Sequence, residues 1–100
     1  EYNMSAVSEY YARLLLPLAG AEVYARTPAS QRARRSIEVV REMSAEYARV
    51  CGVPTRLSQV GVEREDLPAI ARAAIKDGAM IVNPVEADED DVLRILEKAF

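Results

Sequence analysis

The sequence predicts an all-α fold of about four helices. Two observations carry that prediction. Four segments repeat apolar residues at helical spacing, i, i+3, i+4, i+7. The breaks between them hold the glycines, prolines and short polar residues that stop one helix and start the next. The chain has 100 residues, which suits one domain or a piece of one. No internal repeat, low-complexity tract or linker divides it.

The first segment places Val7, Tyr10, Tyr11, Leu14, Leu15 and Leu18 on one face. Asn3 is its expected N-cap. Pro17 falls inside the pattern. It lacks a backbone N–H and crowds the carbonyl of Arg13, so a kink or an end is expected near Leu16, with Gly20 as punctuation. Tyr10 and Tyr11 are expected in or beside the core.

The second segment is the longest. Thr27 is read as its cap and Pro28 as its first residue, where the missing N–H costs nothing. Ala33, Ile37, Val40, Ser44, Tyr47 and Cys51 form its stripe, with Met43 and Val50 beside it. Arg32, Arg34, Arg35, Arg41 and Arg49 alternate with Glu38, Glu42 and Glu46. Arg34/Glu38, Arg35/Glu38 and Glu46/Arg49 are spaced as helical ion pairs, the pattern of a solvated face rather than a phosphate-binding one. Gly52 is expected in the left-handed conformation that ends a helix, and Pro54 prevents its continuation.

A polar connector, Ser58 to Pro68, leads to the third segment, Leu67, Ile70, Ala71, Ala74 and Ile75. Pro68 falls in its first turn. Gly78 is read as its C-cap. The run Ala79 to Val82 is too short for a helix of its own and is expected as extended chain or a buried link. Pro84 pushes Asn83 out of the helical region, and the Asn83 side chain suits a turn. Asp88 is the expected N-cap of the last helix, with Asp91 completing a capping box. Glu89 and Asp90 load its first turn, where the helix dipole favours negative charge. Val92, Ile95, Leu96, Ala99 and Phe100 form its apolar face.

Composition removes several functions. The net charge is −3, which gives no electrostatic footprint for nucleic acid. No apolar run reaches the ~20 residues that cross a bilayer. Cys51 is the only cysteine, which excludes an internal disulfide and suits a reducing cytoplasm. It has no histidine to activate it, and a helix C-terminus disfavours a thiolate, so it reads as a structural thiol. There is no histidine anywhere, hence no general base or metal ligand of the commonest kind. No Gly-rich phosphate loop is present. The acid row from Glu86 to Asp91 lacks the glycine turn of a calcium loop and reads as helix capping. The residues by themselves therefore describe a helical unit without an active site of its own.

The order of the motifs says more. Gly52-Val53-Pro54 with Leu57, then Gly61-Val62, Asp66-Leu67-Pro68 and Asn83-Pro84 resembles the C-terminal end of the iron-containing alcohol dehydrogenase family, which shares the dehydroquinate-synthase-like fold. The resemblance covers nearly all of residues 1–100. It implies a two-domain parent in which an N-terminal domain binds NAD(P). A helical domain holds a divalent metal, iron or zinc, through one aspartate and three histidines. The metal polarises an alcohol or carbonyl oxygen while hydride passes to or from the nicotinamide. Glu1-Tyr2-Asn3 resembles the end of the stretch that follows the last metal histidine. The chain is therefore expected to begin beyond the metal and cofactor machinery, as a C-terminal helical part that is inactive alone. The loop before Asn-Pro approaches the substrate cleft in the family, which makes Ala79 and Met80 the candidate cleft wall. Two departures stand out: Val85 replaces the arginine expected after Asn-Pro, and Asp77-Gly78-Ala79 replaces Asp-Ala-Cys. Two alternatives stay open, a metal-independent relative like maleylacetate reductase and a free-standing helical interaction module. Expected partners are the missing N-terminal part and further copies of the chain, since Leu14, Leu15 and Leu18 with Ile37, Val40 and Tyr47 exceed what four short helices cover.

Overall fold

A computed structural model describes residues 1–100. It contains four α-helices and no strand: α1 (Met4–Arg26), α2 (Arg32–Cys51), α3 (Leu67–Ile75) and α4 (Glu89–Ala99), with short 3₁₀ helices between them. Contacts divide the chain into two compact units, Glu1–Cys51 and Gly52–Phe100.

The first unit is a helical hairpin. Asn3 occupies the N-cap position of α1 without a side-chain cap bond, and its carbonyl accepts from the Ala6 and Val7 amides instead. Pro17 does not end or kink the helix near Leu16. The break comes at Gly20, with φ 85° and ψ 168°, and a lesser one at Val7. Proline costs its own hydrogen bond yet keeps a helical φ, whereas glycine alone enters φ > 0 freely. Thr27 closes α1 rather than opening α2: its N–H and its hydroxyl both bond the Val23 carbonyl, the hydroxyl at 2.7 Å. Pro28 precedes a 3₁₀ turn, Ala29–Gln31, and α2 starts only at Arg32. Arg32 staples this corner. Its Nε donates to the Thr27 carbonyl at 3.1 Å, and its guanidinium lies 3.9 Å from the Tyr24 ring centre, a cation–π contact.

Leu15 is fully buried, and Ser36 and Val39 bury opposite it in the same unit. The Ser36 hydroxyl donates to the Tyr11 carbonyl at 2.7 Å, with the Arg32 carbonyl at 3.1 Å. A small polar residue is thus satisfied inside the hairpin. Tyr11 is half-buried, but Tyr10 is 65% exposed beside Arg13. The α2 stripe is only half used. Nothing in α2 beyond Val39 is fully buried, and Val40, Met43, Tyr47 and Val50 are exposed. Cys51 is exposed too, so its thiol fills no core space. On the outer face Arg35 forks onto Glu42 at 2.6 Å and reaches Glu38 at 3.2 Å, while Arg49 pairs with Glu46 at 2.5 Å. Glu38 thus turns to Arg35 rather than to Arg34. Gly52 takes φ 67° where α2 stops, and no helix resumes through Pro54.

In the second unit α3 buries Leu67 and Ala71, and Val92, Leu96, Ala99 and Phe100 of the last segment are half-buried. Pro68 sits in the first turn of α3, as its missing N–H allows. The connector before α3 is ordered by 3₁₀ turns at Leu57–Val60 and Arg64–Asp66. It also ties down the end of α4. Arg56 donates to the Lys98 carbonyl and Ser58 to the Phe100 carbonyl, both at 3.1 Å. Arg64 lies 4.4 Å from the Phe100 ring centre. These donors satisfy carbonyls that a helix end leaves without partners.

Candidate functional site

The joint between α3 and α4 carries the residues singled out by sequence. α3 ends at Ile75, with Lys76 at its C-cap. Asp77 is already extended, and its carboxylate accepts the Ala79 N–H at 2.8 Å. That cap starts a 3₁₀ helix, Gly78–Val82. Gly78 is therefore not a left-handed C-cap: its φ is not positive, and a Cβ there would meet nothing within 4 Å. The run Ala79 to Val82 is neither extended nor buried, since Ile81 and Val82 are 87% and 80% exposed. Asp77 captures an amide of the run and winds it into a turn, which leaves its apolar side chains outside.

Asn83 is extended at ψ 131°, as Pro84 demands, and its side-chain amide donates to the Val85 carbonyl at 2.5 Å. Asp88 caps α4 by accepting the Asp91 N–H at 2.8 Å, and Asp91 accepts the Asp88 N–H at 3.3 Å. Glu89 pairs with Arg72 at 3.4 Å, and Asp91 with Arg94. Asp88, Glu89 and Asp91 thus turn to separate partners, and no group of three histidine, cysteine or acidic side chains converges on one point.

This joint encloses an open cleft of about 380 Å³, lined by Ile75, Met80, Ile81, Asn83, Glu86 and Ala87. Met80 reaches it as a half-buried side chain. Ala79 lies beside it on the exposed side, its amide held by Asp77. Helical periodicity does not pick out Ile75, Ile81, Glu86 or Ala87 as a set, because the 3₁₀ turn and the extended Asn83 bring them together. The lining is aliphatic with one carboxamide and one carboxylate. Such a surface can hold a small, partly polar molecule, but it offers no nucleophile paired with a base. The shifted ionisations lie elsewhere, on α2. There the Arg35 guanidinium holds the Glu42 carboxyl below the usual carboxylate range, and Arg49 does the same to Glu46.

Comparison with known proteins gives the chain a family. The lactaldehyde reductase of Escherichia coli (strain K12) is 36% identical over 69 residues, 65% of this chain and 18% of that protein. The 1,3-propanediol dehydrogenase of Citrobacter freundii is 32% identical over 68 residues, 68% of this chain and 16% of that protein. The crystal structure of a 1,3-propanediol oxidoreductase superposes with a TM-score of 0.83 at 26% identity, over 99% of this chain and 24% of that one. The matched part of the chain thus spans less than a fifth of the length of these curated relatives. The family described as Fe-containing alcohol dehydrogenase, C-terminal, matches residues 1–100 throughout. This chain belongs to the iron-containing alcohol dehydrogenase family, whose C-terminal helical part it forms.

Proposed function

We propose that the chain serves as the C-terminal helical part of an NAD(P)-dependent oxidoreductase that interconverts an alcohol and an aldehyde or ketone. The observation that supports this best is the family match along all 100 residues. The relatives named for lactaldehyde and 1,3-propanediol favour a short, hydroxylated substrate. Neither the divalent metal nor the nicotinamide fits the residues present here. There is no histidine, no convergent donor set and no glycine-rich phosphate loop. Their ligands belong to other parts of the parent polypeptide, and the contribution of this chain is packing and one wall of the substrate cleft. Met80 supplies the apolar surface of that wall, with Ala79 next to it. The parent is a homo-oligomer in this reading.

The test uses the whole polypeptide that carries this chain. It is expected to consume NADH or NADPH with lactaldehyde or 3-hydroxypropanal, and Met80→Ala is expected to raise KM about tenfold with a smaller change in kcat. No turnover with short aldehydes would overturn the assignment. Unchanged kinetics in the Met80 variant would remove the cleft wall from it. The 100-residue chain alone is expected to give no stoichiometric zinc transition in calorimetry.

A further inference from the structure

The joint between α3 and α4 differs from the rest of the chain in charge. Residues 72–94 hold six acids and only three bases, Arg72, Lys76 and Arg94. That excess equals the net charge of the whole chain, −3, so the remaining residues balance. The cleft of about 380 Å³ opens inside this stretch, and Glu86 is the one ionisable side chain among its lining residues. Val85 beside it is aliphatic and supplies no counter-charge.

The groups that could receive an anion here are already turned to acids. Arg72 pairs with Glu89 at 3.4 Å, and Arg94 with Asp91. Lys76 does not line the cleft, and Asp77 beside it in sequence offsets its charge. The positive end of α4 is taken by its own residues. Asp88 accepts the Asp91 N–H at 2.8 Å, and Glu89 and Asp90 fill the first turn, where the helix dipole favours negative charge. A carboxylate entering the cleft therefore meets repulsion from Glu86 and its neighbours, to which Asn83 adds a dipole but no charge. An uncharged carbonyl compound escapes that repulsion and still meets the aliphatic surfaces of Ile75, Met80 and Ile81.

We propose that this cleft selects its substrate by charge. It admits short uncharged aldehydes and ketones and rejects those that carry a carboxylate, and Glu86 is the residue that decides. The inference rests on the reading of the joint as one wall of the substrate cleft, and narrows it to a substrate class. The device is repulsion built against the wrong substrate. Like charges a few ångströms apart at a protein surface give a discrimination of about tenfold, and salt weakens it.

The test compares 4-oxobutanoate with its methyl ester in the whole polypeptide that carries this chain. The two share the aldehyde and the carbon chain and differ in the negative charge. The ester is expected to have a kcat/KM about tenfold higher, with the gap mainly in KM. Glu86→Gln is expected to narrow the ratio to about threefold or less, and Glu86→Lys to reverse it. Glu97→Gln, which removes the same charge near the far end of α4, is expected to keep the parent ratio. Glu86 is exposed and outside α4, so its variants are expected to fold as the parent does. Added salt is expected to narrow the ratio of the parent and to leave that of Glu86→Gln nearly fixed. A ratio that the Glu86 substitutions and salt leave unmoved would overturn the proposal, because shape rather than charge would then set it. A parent that prefers the carboxylate would overturn it as well. Either of those results, obtained with turnover of the aldehydes, leaves the proposed function standing. Absence of turnover with both compounds sinks the proposed function and this inference together.

Discussion

The two helical pairs solve the same problem in opposite ways. The α3–α4 unit is built from short helices, 9 and 11 residues long, and it closes its own ends with Asp88, Asp91, Arg56, Ser58 and Arg64. The α1–α2 unit is built from long helices of 23 and 20 residues, and it leaves Leu14, Leu16, Val40, Met43 and Tyr47 in solvent. Short helices bury little and depend on their caps. Long helices present more apolar surface along their length than one partner covers, whereas the most exposed apolar residues of the second unit, Ile81 and Val82, lie in the 3₁₀ turn between its helices.

The sharpest way to break this comparison is at the cores. Leu15 and Leu67 are the two large side chains with almost no exposure. Leu15→Ala and Leu67→Ala are each expected to destabilise by about 2–5 kcal/mol, the transfer term plus a cavity. Val40→Ala, on the uncovered part of the α2 stripe, is expected to cost less than about 1 kcal/mol because most of its surface is already wet. Urea unfolding of the three variants checks this. A Val40 loss as large as the Leu15 loss would mean that the face is covered in solution.

The glycines test the next level. Gly20 has φ 85° and ψ 168° within α1, an essentially glycine-only region that costs any other residue about 1–3 kcal/mol. Gly20→Val is expected to lower stability by that much. Gly78→Ala is expected to stay within about 0.5 kcal/mol of the parent or to stabilise slightly, since its backbone suits any residue and the unfolded chain loses freedom. Thermal melts of both variants separate the two positions.

Gly52 and Gly78 also show what the sequence makes legible. Both follow an apolar helical repeat, and both read as left-handed stops. Gly52 is one, because α2 runs as far as Cys51 and the next residue must turn it. Gly78 is not one, because Asp77 has already left the helix and uses its carboxylate to begin a new turn. Helix existence, the Asp88 cap, the Asn83 turn and Pro68 in the first turn of α3 are local decisions, and local signals predict them. The choice of Val39 over Val40 as the buried residue depends on where α1 lies, which no spacing rule contains. The same holds for the cleft. Met80 is reached through family resemblance, whereas Ile75, Glu86 and Ala87 join it only once the 3₁₀ turn exists.

Caps are the third rung. Asp88→Ala is expected to cost about 0.5–2 kcal/mol by orphaning the Asp91 amide. Glu86→Gln, outside the helix, is expected to be close to neutral, as surface changes usually are. Melting of both variants with calcium and with chelator adds a check on the acid row. A chelator-sensitive melt of the parent would mean that the carboxylates act together on a metal rather than separately on a helix end.

The smallest effect belongs to the solvated face of α2 and is read through pH. The Glu42 carboxyl is held below its ordinary range by hydrogen bonds from Arg35. Its folded-state value is thus lower than its unfolded one, and protonation favours the unfolded chain. The contribution is fully present at pH above the ordinary carboxylate range. It is lost as pH falls from that range through the depressed folded-state value. Because both side chains face solvent, the pair is screened and the effect is small. The expected result is a melting temperature for Glu42→Gln that lies slightly below the parent at neutral pH and converges with it in acid. Added salt should shrink the neutral-pH gap. Arg35→Gln should show the same convergence, since it removes the donor rather than the acceptor. A gap between parent and Glu42→Gln that stays constant from neutral to acid pH would mean that Arg35 and Glu42 do not hold each other in solution. The face would then be solvated without being paired.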